Sequence, residues 1–112
     1  MNFILGIYLL FNIPLSTLSA IVSQILPSVS IFEESPISTI VVDLRPRLHT
    51  LHVHFNQASL LHSQTSQPFE YVNGRIQLKS RLDREDYVRK RLCFGGNVLE
   101  CNFTLTLTVN LN

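Results

Sequence analysis

Between Gly74 and Leu82 the chain alternates, and no other feature constrains its fold so tightly. Ile76, Leu78 and Ser80 fall on one face of an extended strand, and Arg75, Gln77, Lys79 and Arg81 fall on the other. That is the period of a strand with one side buried and one side wet. Asn73-Gly74 just before it is a turn signal, because both residues tolerate positive φ. After Leu82 the alternation stops, and the turn Asp83-Arg84-Glu85 brings two carboxylates to the strand's end. Hard oxygen donors in such a place suit a hard cation.

The remaining segments repeat the pattern of short strands and breaks. Residues 28–32 alternate like a first strand, and Glu33-Glu34-Ser35-Pro36 ends it. Pro36 has no amide hydrogen, so the chain there belongs at an edge or a crossover. Residues 39–44 form a β-branched second strand, closed by Arg45-Pro46. Residues 48–55 are expected as an amphipathic third strand, with Leu51, Val53 and Phe55 opposite His52 and His54. The stretch 56–67 is rich in Ser, Gln and Asn, with a short strand or turn at 58–61. Residues 68–72 lead into the central stretch. In 102–109, Phe103, Leu105, Leu107 and Val109 alternate against Thr104, Thr106 and Thr108. No segment sustains a helical period. Roughly six short strands separated by turns predict an all-β fold, a β-sandwich with Greek-key connections.

A length of 112 residues allows one domain, and a formal charge of +1 gives no broad field that would attract nucleic acid. Residues 1–20 carry no charge and are dominated by Phe3, Ile4, Leu5, Ile7, Tyr8, Leu9, Leu10, Phe11 and Ile13. They read as a secretory signal peptide. A spanning helix needs roughly 20 uninterrupted apolar residues, whereas Asn12, Pro14 and Ser16 end this run early. Small residues follow, and cleavage after Ala20 or after Ser19 fits comparably. No Lys or Arg precedes the run, which keeps an uncleaved membrane anchor as the rival reading. The mature part, 21–112, is roughly 90 residues, a size at which a domain gains from a covalent brace. Cys93 and Cys101 supply one, since an even number of cysteines at short spacing in a secreted chain reads as a disulfide. Gly95-Gly96-Asn97 offers the reversal. Two unpaired thiols are the alternative if the chain is not secreted.

Taken together, Ser30-Ile-Phe-Glu-Glu34, Val41-Val-Asp-Leu44, Phe69 with Val72-Asn-Gly-Arg-Ile76, Leu82-Asp-Arg-Glu85, the Cys93 to Cys101 loop and the alternating last strand resemble the first extracellular cadherin repeat of protocadherins. The resemblance covers nearly all of 21–112. It implies a cadherin-type Greek-key sandwich and calcium ligands at the base of the repeat: the acid that follows the first strand and both acids of Asp-x-Glu. Carried onto this chain, these are Glu33, Asp83 and Glu85. Phe32 stands where the family has proline, which leaves Glu33 or Glu34 open as the first ligand. The family's last strand and its Asp-x-Asn-Asp-Asn linker have no counterpart before Asn112. The expected Ca²⁺ site is therefore incomplete and weak, toward or below the millimolar end of extracellular sites.

The implied role is calcium-dependent homophilic cell–cell adhesion, with partners that are copies or relatives in trans, and with following repeats and a membrane anchor in a longer form. The chain would travel the secretory pathway to the plasma membrane, or be released if it ends at Asn112. It has no Trp, so exchange of a tryptophan-anchored strand is not open to it. Recognition is expected along a sheet face, with His52, His54, Arg75, Lys79 and Arg81 as outward candidates. A calcium-independent, disulfide-bridged secreted binder or decoy is the alternative.

Other features carry less. His52 and His54 share a strand face in this reading, but a third zinc ligand is not placed, and solvated histidines account for them. Asn102-Phe103-Thr104 is an N-glycosylation sequon. Arg89-Lys90-Arg91 reads as a solvated run. No nucleophile elbow, phosphate loop or paired-acid cleft is found, so an enzyme is not expected.

Overall fold

The alternation near the C-terminus becomes the spine of the core. In the computed structural model, which describes residues 2–14, 19–93 and 100–110, strand β7 spans Glu100–Asn110. Its Cys101, Phe103, Leu105, Leu107 and Val109 are all buried. β1 (Asn2–Pro14), β2 (Ser19–Phe32) and β4 (Ala58–Leu60) complete its sheet in the order β2-β1-β7-β4. β3 (Ile40–Asp43), β5 (Phe69–Val72) and β6 (Arg75–Leu78) form a second sheet in the order β3-β6-β5. The fold is thus an all-β sandwich, as the strand pattern predicts.

β1 runs parallel to β7, while the other pairings among the described residues are antiparallel. Phe69, Ile76 and Leu78 of the second sheet are buried in the same core cluster as the apolar side chains of β7. Phe103 is the point where the parts meet: its ring lies 5.8 Å from Phe3 and from Phe69 and 5.0 Å from Tyr87. Each such side chain contributes about 1.5 to 3 kcal/mol when withdrawn from water, and edge-to-face rings add specificity.

Two segments depart from expectation. Residues 48–55 are not a strand: a short helix α1 spans Arg45–Thr50 and a 3-10 turn spans Phe55–Gln57. Pro46 fits the first helical turn, where its missing amide hydrogen costs nothing. Leu44 and Leu48, four residues apart, both reach the core, and His52 at φ 58° turns the chain out of any extended path. The apolar spacing at 44 and 48 is the helical signal that the alternation of 51, 53 and 55 concealed.

The central stretch departs in a second way. β6 ends at Leu78, the chain bends at Lys79-Ser80, and a helix α2 occupies Arg84–Arg89. Asp83 is its N-cap, with Glu85 and Asp86 in the first turn, where acids favour a helix start. Leu82 and Tyr87, both buried, occupy the two positions of a hydrophobic staple. The Asn73-Gly74 hairpin is as expected, with φ of 50° and 85°. A Cβ at Gly74 would meet Arg45 Cγ at 2.5 Å.

The boundary expected between residues 20 and 21 does not mark an edge of the fold. β2 runs across it, and the apolar N-terminal run is a strand inside the sheet.

Candidate functional site

The acidic residues singled out from the sequence come from two segments near the start of β7. The first is the turn that leaves β2. Glu33 is half-buried there, and Glu34 takes a left-handed φ of 68°. The second is the stretch from Arg81 to Asp86. An ion pair links them, Arg81 to Glu34 at 3.4 Å. Backbone bonds join the chain just beyond the first segment to the end of β6 just before the second, with the Ser38 amide donating to Leu78 O at 2.7 Å and the Leu78 amide to Thr39 O at 3.0 Å.

Asp83 is committed locally. Its Oδ1 accepts the amides of Glu85 at 3.0 Å and Asp86 at 3.3 Å. Glu85 is exposed on the first turn of α2. Asp86 pairs with Lys90 at 3.1 Å and with Arg89, four and three residues further along the chain. Hydrogen bonds from Lys90 and then Arg89 hold its carboxyl below the usual carboxylate range. The donors are hard oxygens, as Ca²⁺ requires, yet they do not close on one point. Among the described residues no group of three or more His, Cys, Asp or Glu side chains converges to hold a metal ion.

The disulfide is where the spacing places it. Cys93, after α2, joins Cys101 in β7 with a Cα separation of 4.9 Å. The Gly95-Gly96-Asn97 reversal lies outside the described residues. The bridge fastens the exit of α2 to the strand that carries the core. A second tie is polar: the Tyr87 hydroxyl donates to Thr65 O at 2.8 Å, and the Thr65 hydroxyl to Thr104 O at 3.1 Å. Burial pushes the Tyr87 phenol well above its ordinary range.

Asn102 lies in β7 beside Ile4, half-buried, with an Oδ1 that is buried and finds no hydrogen-bond partner. A shallow groove of about 260 Å³ lined by Ile4, Gly6, Ser28, Asn102, Phe103 and Thr104 surrounds it. The outward candidates do not share one sheet face. Arg75 is on β6, 3.7 Å from Asp43, Lys79 is in the bend, and Arg81 is held by Glu34. His52 and His54 lie outside the strands; His54 caps the 3-10 turn through Nδ1, which accepts the Asn56 amide at 3.2 Å.

Sequence reasoning missed the Asp43 cluster. Arg45 forks onto Asp43, with Nε to Oδ1 at 2.9 Å and Nη2 to Oδ2 at 2.7 Å. The guanidinium pulls the Asp43 carboxyl down to about 2. An Asp two residues before Arg-Pro at a strand end was its only signal. No family model, curated protein or solved structure matches the chain at a significant level.

Proposed function

We propose that the chain is the membrane-distal cadherin repeat of a protocadherin-like cell-surface protein and serves calcium-dependent homophilic cell–cell adhesion. The observation that carries this reading is the approach of the Glu33-Glu34 turn to the Leu82-Asp-Arg-Glu85 segment, held by Arg81 and Glu34. The cysteine bridge that follows α2, and the two-sheet sandwich around them, are in keeping with it. Glu33, Asp83 and Glu85 are the proposed ligands, and the ion's work is mechanical: it stiffens the base of the repeat against the next one. Copies of the same chain or its relatives in trans are the partners, reached through the secretory pathway, with a candidate glycan at Asn102.

A calcium titration tests this. An ion that binds only the folded state raises stability by RT ln(1 + [Ca²⁺]/Kd). The melting temperature of the intact chain should rise in the millimolar range and fall back with chelator. Glu85→Gln should abolish the rise. A melting curve unmoved up to about 10 mM Ca²⁺ would remove the adhesion reading. The second reading, a small secreted binder that needs no calcium, is favoured by one observation: Asp83 and Asp86 already have partners within their own helix.

A further inference from the structure

β1 is paired along both edges. It matches β7 from Asn2 opposite Glu100 to Asn12 opposite Asn110, and β2 from Asn2 opposite Phe32 to Pro14 opposite Ser19. Phe3, Leu5, Ile7 and Leu9 are fully buried, and the Phe3 ring stands edge-on to Tyr87 at 5.4 Å. The fit is particular as well as apolar. A Cβ at Gly6 would come within 3.2 Å of Thr104 Cγ2, so the outer side of β7 is matched to a glycine there. The pairing with β2 shifts between Leu5 and Ile7, where Pro27, a residue unable to donate to a ladder, sits opposite.

Take β1 away, and β7 offers a bare backbone edge over its whole length while Phe103 and Tyr87 lose a ring neighbour. Such an edge above an open apolar groove is an acceptor for an added strand. We propose that the occupant is this chain's own segment 2–14, which stays with the protein as the strand completing its sandwich. Removal after Ser19 or Ala20 and folding into this sheet are then competing fates of one segment. This inference does not depend on calcium binding or adhesion.

The test uses the full chain produced in secretion-competent cells, with the folded fraction analysed by intact mass and amide hydrogen exchange. Residues 2–14 should be present, and the amides of residues 3–12 should exchange as slowly as those of β7. A folded fraction that begins at Ala20 or Ile21 overturns the proposal. So do β1 amides that exchange at open-chain rates while β7 is protected. A paired variant supplies a second readout: Leu5→Asp should speed β7 exchange tenfold or more, whereas the outward Ile4→Asp should change it far less. Equal effects from the two would also overturn it. Calcium added to the same sample keeps the two readings apart, since protected β1 amides with no response to the ion would count against adhesion alone.

Discussion

Asp83 illustrates how one side chain serves either structure or ligand binding. As N-cap of α2 it offers Oδ1 to two amides that would otherwise lack partners. Asp83→Ala should cost about 1 kcal/mol in a urea titration with chelator present. Asp83→Asn should cost little under the same conditions, because asparagine caps as well as aspartate. If Asp83 also holds Ca²⁺, the asparagine variant loses the calcium-induced rise while keeping the stability measured in chelator. An asparagine variant that retains the full rise would take Asp83 out of the ligand set. The alanine variant alone cannot make that distinction, since it removes both roles at once.

At the scale of elements, the short path from α2 to β7 is closed by the Cys93–Cys101 bridge. A ring of about nine residues restricts the unfolded chain by about 2 to 3 kcal/mol in the chain-entropy account. Reduction should therefore lower the urea midpoint by that equivalent, and an unchanged midpoint would show that packing of Tyr87 and Phe103 holds α2 without it. The disulfide, β7 and the Asn73-Gly74 hairpin were legible from the sequence, because spacing, period two and turn chemistry are each local signals. The helices were not. In α1 the deciding contacts are Leu44 and Leu48 against the core, which outweigh the alternation of 51, 53 and 55; in α2 the acids at 83, 85 and 86 suit a helix start and a hard cation alike, so their spacing alone does not signal a helix. The segment of β1 carries no strand signal for another reason. A strand apolar on both faces, central in its sheet, has no alternation to distinguish it from a leader. Of the candidate site, the acids were legible as residues, while Arg81 as the link between their segments and Arg45 on Asp43 depend on tertiary placement.

For the molecule as a whole, the charged groups that are held away from their ordinary titration fix where stability changes with pH. Asp43, beside Arg45, takes up its proton only as the pH falls to about 2, and Asp86 is likewise depressed by Lys90 and Arg89. The unfolded chain takes up protons on such carboxyls near pH 4. Between those limits the unfolded state binds more protons, so their contribution is complete above about pH 4 and is lost as the pH falls toward about 2. Tyr87 acts at the opposite end. Its buried phenol stays neutral in the folded state, while the unfolded chain ionises near pH 10. Its contribution is present below about pH 10 and is lost as the pH rises beyond it. Unfolding free energy measured against pH should therefore be flat between these two limbs. Asp43→Asn combined with Asp86→Asn should shallow the acid limb and leave the alkaline one, and Tyr87→Phe should do the reverse. A double asparagine variant whose acid limb matches the parent's would mean that the Arg45 fork and the α2 ion pairs are too well solvated to favour the folded state.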